Sequence, residues 1–191
     1  ARTVVALADA GHATLQGGAV YVDSGATGGG RGPDFVLDTP AGDVRHLGTQ
    51  YEARYANGAL QVGVREGRVE VQSESGSVVA DAGERVTFAG GEVTRTALPP
   101  NAADWNWVAD VTPPFTIEGR SVEDFLVWAA RETGRTIVYA SSEAAQQSRS
   151  VTLRGTVEGL TPDEAVHAVL STTSLQPQIS PDRIRVEASA R

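Results

Sequence analysis

The sequence contains no cysteine, no methionine and no lysine, and each absence excludes something. Without cysteine the chain has no disulfide, no thiol nucleophile and no cysteine-based zinc site. Without methionine it has no translation start at Ala1, so we expect that an upstream segment has been removed, such as a signal peptide, an anchor or a domain. Without lysine, the 16 basic residues are all arginine against 24 acidic residues, a net charge of −8. So acidic a chain, with no basic stripe, repels phosphate backbones, and we expect no nucleic-acid partner.

Aromatic residues are also few, at 6% of the chain, and no apolar run is long enough for a transmembrane helix. Glycine is abundant at 21 residues, while 40% hydrophobic and 21% charged residues are typical of a globular protein. This composition favours short strands and turns. We therefore predict an all-β N-terminal domain over 1–98, built from short antiparallel strands and meanders.

The clearest turn signal is Asn57-Gly58, because a type I′ hairpin turn needs positive φ at both central residues. A second turn is predicted at Glu66-Gly67, and the two together predict a three-stranded meander of 49–55, 59–65 and 68–72. Both turns place the same apolar residues on one face. The predicted pairs are Tyr55–Leu60, Ala53–Val62 and Tyr51–Val64 across the first turn, and Val64–Val69 and Val62–Val71 across the second.

Glycine also marks two other places. Gly90-Gly91 predicts a hairpin of 84–89 and 92–96, with Phe88 opposite Val93. The segment 25–32 is rich in glycine, as phosphate-binding loops are, but neither a Lys-Ser/Thr pair nor a helix start follows it. We interpret that segment as a loop between strands.

The pattern changes after residue 98. Two proline pairs bound a connector over 99–114, in which we expect Trp105 and Trp107 to anchor the two domains to each other. A small α+β domain over 115–188 follows, with strand and helix order β-α-β-β-α-β-β. Its helices begin after the N-caps Ser121 and Thr161. The first covers 122–133, and strands are predicted at 115–118, 136–140, 150–157, 174–179 and 183–187.

Four motifs of the first half resemble the FecR domain: TPAGDVR at 39–45, LGTQYE at 47–52, VGVREGRV at 62–69 and AGE at 82–84. The second half is similar to the short STN domain named for secretins and TonB-dependent receptors. Its motifs are FTIE at 115–118, AARETG at 129–134, LRG at 153–155, LTPDEA at 160–165 and the closing Leu175.

The resemblance implies a periplasmic sensor region of a Gram-negative regulator, anchored in the inner membrane by a segment upstream of residue 1. The implied partner is a protein such as the signalling domain of a TonB-dependent transporter, and the implied output is control of a sigma factor. Because STN-like folds also occur in secretins, an alternative stays open. In that alternative the chain is an envelope-assembly or glycan-associated β domain without a sigma-factor role.

The chemistry of the residues predicts no enzyme, no cofactor and no metal site. His12, His46 and His167 are scattered without metal-ligand spacing, and His46 is predicted to point to solvent. The resemblance adds one exception, since some FecR-like regulators cleave themselves at a Gly-Thr bond, and the matching bond is Gly48-Thr49. The route would be an N→O acyl shift by the Thr49 hydroxyl. The alternative is that Gly-Thr simply opens a strand with a turn.

Partner binding is predicted at a strand edge of the second domain, because a free edge can accept an added strand. The first candidate is 150–157, with Val151, Leu153 and Val157. The second candidate is 183–187, with Ile184 and Val186. The alternative for each segment is an ordinary core strand.

Overall fold

A computed structural model describes residues 3–9, 11–24, 35–46, 48–74, 76–111 and 115–189. The chain divides into two compact units, Ala1–Pro100 and Asn101–Arg191. The division lies beside the predicted boundary at 98, and the predicted connector 99–114 contains a 3₁₀ helix, Ala103–Asp110. The glycine-rich segment 25–32 lies outside the described residues.

The first unit is all β in its described part. Its ten strands are β1 Val4–Asp9, β2 His12–Asp23, β3 Val36–Thr39, β4 Gly42–His46, β5 Gln50–Ala56, β6 Ala59–Glu66, β7 Arg68–Ser73, β8 Gly76–Asp81, β9 Glu84–Ala89 and β10 Glu92–Ala97.

These strands form one sheet that curls into two halves, and β2 belongs to both. The first part of β2 belongs to the first half, where it pairs with β1 and, in parallel, with β3. This first half continues from β3 through β4 and β7 to β8. The second part of β2 pairs with β5, and that half continues through β6 and β9 to β10. A long strand that changes partners midway thus connects the two halves.

The hydrophobic core of this unit draws on both halves. Leu15, Val44 and Val71 come from the first half, and Leu60 and Val62 from the second, and all five are fully buried. Successive residues of a strand point to opposite faces, so every second residue can enter such a core. The alternating apolar pattern of the sequence therefore predicts the buried face correctly.

Two hairpins are confirmed to the residue. Tyr55 pairs with Leu60 across Asn57-Gly58, where Asn57 has φ 53° and Gly58 φ 74°. The other predicted pairs across this turn, Ala53–Val62 and Tyr51–Val64, also form. Phe88 pairs with Val93 across Gly90-Gly91, as predicted.

The predicted hairpin at Glu66-Gly67 is wrong. Strands β6 and β7 do not pair with each other: β6 pairs with β5 and β9, and β7 with β4 and β8. At Gly67 the chain crosses from one half of the sheet to the other. Both strands do bury valines on one face, as predicted, but they do so from opposite halves. A single turn signal cannot distinguish these two arrangements, because both bury the same residues.

The second unit is a small α+β structure in its described part. Besides the 3₁₀ helix it contains α1 Val122–Thr133, β11 Thr136–Tyr139, α2 Ser142–Ser150, α3 Pro162–Ser171, β12 Leu175–Ile179 and β13 Arg183–Ala188. Its sheet has the order β11-β13-β12, with β13 parallel to β11 and antiparallel to β12.

The helix starts are confirmed in detail. Ser121 caps α1 and Thr161 caps α3, each in a reciprocal capping box with the residue three positions on. Gly134 ends α1 with φ 65°, the left-handed conformation that favours glycine. Both helices bury an apolar face, and these faces pack into one core with Leu175 and the central strand.

The predicted strands over 115–118 and 150–157 are not formed. Helix α2, which Ser141 caps, ends at Ser150, so its last residue falls inside the second of these segments. The residues that follow form one isolated bridge, Ser121–Thr152. Backbone hydrogen bonds join Gly119 and Arg120 to Leu153 and satisfy these groups away from the sheet. The predicted order β-α-β-β-α-β-β is therefore replaced by α-β-α-α-β-β over 122–188.

Candidate functional site

The Gly48-Thr49 peptide lies immediately before β5, in the first unit. Gly48 has φ 71°, a conformation that residues with a Cβ rarely adopt. Thr49 is 2% exposed. Glycine thus supplies an unusual backbone conformation here, and Thr49, which follows the exposed Gly48, is buried.

Ser24, the residue after β2, holds Thr49 through three hydrogen bonds. The Thr49 N–H donates to Ser24 Oγ at 2.8 Å. The Thr49 carbonyl accepts from the Ser24 N–H and from the Ser24 hydroxyl, both at 3.1 Å. Because the nitrogen and the carbonyl of Thr49 are both tied to one residue, the amide on the carboxyl side of Gly48 has a fixed orientation.

Gly67 lies directly against this peptide. A Cβ placed on Gly67 would be 2.3 Å from the Gly48 carbonyl oxygen and 2.8 Å from Thr49 Cγ2. Gly67 also has φ 78°. The crossing between the two halves of the sheet therefore presses backbone against the Gly48 carbonyl, and only glycine leaves the required space.

The Thr49 hydroxyl is the unusual group of the site. Its Oγ1 is buried and has no hydrogen-bond partner among the described residues. A buried hydroxyl without a partner is destabilising, and such atoms in a folded protein call for an explanation. Chemically, a hydroxyl that no acceptor engages is available as a nucleophile, although no described residue acts as its base.

Polar residues continue along β5 beyond Thr49. Gln50 is 1% exposed, and its amide donates to Asp23 Oδ2 at 2.9 Å. Glu52, with its side chain 3% exposed, lies 3.2 Å from Arg54 and 4.0 Å from Arg85. These interactions compensate the burial of the Glu52 charge and bind β5 to β2 and β9. They hold the strand that carries the Gly48-Thr49 peptide.

Tyr51, two residues after Thr49 on β5, lies in the hydrophobic core of the first unit. It is 0% exposed, its hydroxyl has no hydrogen-bond partner among the described residues, and burial raises its pKa above the ordinary tyrosine value. His46 is half-buried, with its ring centroid 6.4 Å from that of Tyr51 and 6.0 Å from that of Phe35. The prediction that His46 points to solvent is therefore wrong, because aromatic neighbours cover its ring.

The predicted partner-binding residues do not lie at free strand edges. Leu153 and Val157 are buried outside any strand, and Val151 is half-buried after α2. Ile184 and Val186 are fully buried on β13, which pairs on both sides. The edge predictions for both segments are thus wrong, because in each segment core packing takes the apolar side chains. Partner binding by these residues stays a prediction without an edge to support it.

Trp105 and Trp107 lie on the 3₁₀ helix, with Trp105 buried and Trp107 half-buried. Their predicted role between the domains stays a prediction. Among the described residues no group of three or more His, Asp or Glu is placed to hold a metal ion. The helices of this described part are all too short or too polar to cross a membrane.

Sequence reasoning missed Ser24 and Gly67 as neighbours of the Gly48-Thr49 peptide. Ser24 is 25 residues away from Thr49, and no local pattern connects them. The signal for Gly67 was present as a turn glycine, but it was interpreted as a hairpin turn. A glycine that allows a close backbone approach and one that allows a tight turn look the same in a sequence.

Comparisons with known proteins give results for structures and for families. The comparison with curated proteins finds no match. Two crystal structures of a putative anti-sigma factor from Parabacteroides distasonis ATCC 8503, at 2.50 Å and 1.65 Å resolution, are similar to this chain at 16% sequence identity and a TM-score of 0.43. The similarity covers 94% of this chain and 80% or 81% of the other. A TM-score of this size does not establish a shared fold.

The family comparison concerns the first unit. Residues 2–70 match the model of the family described as FecR protein. The matched range runs from the start of the chain into β7, and it includes Ser24, Gly48, Thr49 and Gly67. The N-terminal part of this chain, with the candidate site inside it, is therefore FecR-like.

Proposed function

We propose that this chain is the periplasmic sensor region of a FecR-like signalling regulator and that it works by binding a partner protein. The observation that supports the proposal is the match of residues 2–70 to the FecR family. The net charge of −8 is compatible with protein recognition and unfavourable for nucleic acid. The proposed partner is the signalling domain of a TonB-dependent transporter, and the proposed anchor lies in the inner membrane.

Strand β1 has an edge to which a strand of such a partner can be added. Within the described residues β1 pairs only with β2, so its other edge has unpaired N–H and C=O groups. Val5 and Leu7 pair with the buried Leu15 and Ala13 and so continue the core face of the sheet. They are nevertheless 39% and 80% exposed. A strand added here would extend the sheet and cover these side chains.

Two of the other described edge strands, β10 and β12, are protected against strand addition, whereas β8 and β11, like β1, have neither a proline nor an internal charge. Charged side chains and proline are the usual protection. Strand β10 carries Glu92 and Arg95, and β12 carries Pro177 at its centre. Strand β1, with the sequence VVALAD, has no charge before Asp9 and no proline. We assign partner binding to β1, and not to the segments predicted from the sequence, because Leu7 on this strand is the most exposed large hydrophobic side chain among the described residues.

The test is capture of the partner by the full chain and by a charged variant. We expect residues 1–191 to recover a TonB-dependent transporter from envelope extract, and Leu7→Asp to lower the recovery at least about tenfold, since a charge replaces apolar contact area. Bound protein is identified and quantified by mass spectrometry. Circular dichroism verifies that Leu7→Asp folds, as the exposure of Leu7 leads us to expect.

Leu160→Asp is the matched control, because Leu160 is an exposed leucine, at 41%, in the second unit. Equal recovery by the Leu7→Asp and wild-type chains would refute the β1 assignment. Recovery of secretion or glycan-assembly components alone would refute the signalling proposal and favour the envelope-assembly alternative.

One observation favours a second candidate function, self-cleavage at Gly48-Thr49. The buried Thr49 hydroxyl lacks a described partner, and its amide nitrogen is 2.8 Å from the Ser24 hydroxyl. In an N→O acyl shift, Oγ1 bonds to the Gly48 carbonyl carbon, the C–N bond breaks, and the hydroxyl proton goes to the departing nitrogen. Water then hydrolyses the Gly48 ester, leaving a carboxylate at Gly48 and a free amine and hydroxyl at Thr49.

Intact mass of freshly folded protein tests this candidate. Fragments 1–48 and 49–191 would support it, provided that Thr49→Ala stays whole while Thr172→Ala, a control in the second unit, is cleaved normally. A single full-length species that persists for days would remove the candidate, and the Gly-Thr pair would then be a strand-opening turn.

A further inference from the structure

Four hairpin tips of the first unit line a cavity of about 550 Å³ that is open to solvent. Two tips, those of β3–β4 and β7–β8, belong to one half of the sheet, and those of β5–β6 and β9–β10 belong to the other. The cavity is therefore located at an open end of the curled sheet, between its halves. Loops collected at the end of a rigid β scaffold are common binding sites.

Aromatic rings and the end of the core form part of the cavity wall. Tyr55 and Phe88 line it from β5 and β9, and both pack on the hydrophobic core, Phe88 with 6% exposure. Ala41, which also packs on the core, lines it from the opposite half. These residues are anchored by the fold, so the wall is preformed. A preformed aromatic wall limits the ordering that a ligand must impose on binding.

The polar part of the wall is acidic. Asp43, Glu74 and Glu92 line the cavity, together with Gln72 and Ser73. None of the described lining residues is basic. The three carboxylates also form no ion pair with any described residue, in contrast to Glu52 and Glu84, which pair with arginines. The cavity thus combines uncompensated negative charge with aromatic rings.

We propose that this cavity binds a guanidinium or ammonium group. Cations are attracted to the faces of aromatic rings, and carboxylates accept charge-assisted hydrogen bonds from them. A phosphate or carboxylate ligand would be repelled by three like charges. A neutral sugar would use the rings but would leave those charges unneutralised. The cation is carried either by a small molecule or by an arginine or lysine side chain of a polypeptide.

The glycines of the hairpin tips allow ligand binding in the cavity to be followed by NMR. Gly42, Gly58, Gly90 and Gly91 line it, and Gly42 lies so close to β7 that a Cβ would be 2.4 Å from the Gln72 carbonyl oxygen. Their backbone amides report binding by NMR without any mutation. Gly155 and Gly159, in the second unit, serve as reference amides outside the site.

The experiment is a titration of the ¹⁵N-labelled full chain with agmatine, a small guanidinium compound. We expect saturable shifts of the four tip-glycine amides, and none at Gly155 and Gly159. Asp43→Asn and Glu92→Gln should each weaken binding about fivefold, because each removes one charge at nearly constant shape. Glu158→Gln, which neutralises an exposed carboxylate of the second unit, should leave the affinity unchanged.

Two further ligands show whether the cation belongs to a small molecule or to a polypeptide, and whether the cavity requires a positive charge. A capped Gly-Arg-Gly peptide that binds more tightly than agmatine would indicate a polypeptide ligand, and the reverse would indicate a free cation. Glucose at the same concentrations should move no tip glycine. The proposal is overturned if agmatine leaves the tip glycines unmoved, if Asp43→Asn and Glu92→Gln bind it as tightly as the wild type, or if glucose competes with it. Well-dispersed spectra of the variants verify that each is folded.

Discussion

Replacing Gly67 with alanine should lower the free energy of unfolding of the first unit by about 4 kcal/mol, near the upper end for single substitutions. Two effects add. Alanine at φ 78° is strained by roughly 1–2 kcal/mol. Its Cβ would also meet the Gly48 carbonyl oxygen at 2.3 Å, a backbone atom that cannot move aside without displacing the start of β5. Hydrogen exchange of peptides from β5, β6 and β7 measures the loss within this unit.

Gly58→Ala is a closely matched control. Gly58 has φ 74°, so the backbone strain is nearly the same, but nothing lies within 4 Å of the added Cβ. We expect a loss of only about 1–2 kcal/mol there. The difference between the two variants isolates the contact with the Gly48-Thr49 peptide. Equal losses of unfolding free energy in the two variants would mean that the backbone at Gly67 can move away from the Gly48 carbonyl. Glycine would then be required at position 67 only for its positive φ.

Tyr51→Phe should stabilise the first unit, and the gain should grow at alkaline pH. At neutral pH the variant removes a buried hydroxyl that has no described hydrogen-bond partner, which is worth about 1–2 kcal/mol. Burial also raises the pKa of Tyr51. Below about pH 10 the tyrosine is protonated in both the folded and unfolded states, and its contribution to stability is constant.

Above about pH 10 the unfolded chain releases this proton and the folded chain retains it. The wild type then loses stability by up to about 1.4 kcal/mol for each pH unit from this residue alone. Tyr51→Phe escapes that loss, so its advantage should grow by roughly 3 kcal/mol between pH 10 and pH 12. Urea unfolding at pH 7, 10 and 11.5 measures the advantage. Tyr55→Phe, at a half-buried position of the same strand, is the control, and we expect it to raise the free energy of unfolding at pH 7 by less than Tyr51→Phe does. An advantage for Tyr51→Phe that does not vary with pH would contradict the assigned cause.

What could be predicted from the sequence depended on how local the signal was. The hairpin at Asn57-Gly58 and the capping boxes at Ser121 and Thr161 involve residues within a few positions of one another, and their registers are confirmed. The error at Gly67 arose because burial alone does not show which strands are neighbours. Helix α2 was missed because its sequence, SEAAQQSRS, has only two buried positions and so lacks an apolar face.

The candidate site could be predicted only in part for the same reason. Gly48-Thr49 was identified through a resemblance in its own motif. Ser24 forms hydrogen bonds with that peptide, and Gly67 lies against it. Both residues are distant from it in sequence and are brought to it by the pairing of strands. The cavity at the hairpin tips was not predicted. Each tip was visible as a turn, but their meeting at one end requires the order of the strands in the sheet.

That strand order also has a kinetic consequence. Hairpins β3–β4, β5–β6, β7–β8 and β9–β10 each form from adjacent residues, so each can close within microseconds. The pairings of β2 with β5, β4 with β7 and β6 with β9 join these hairpins across longer stretches of chain. Such long-range contacts make β proteins slow to fold. Refolding should therefore be limited by the docking of preformed hairpins onto β2, and substitutions in β2 should slow refolding more than substitutions at the hairpin tips.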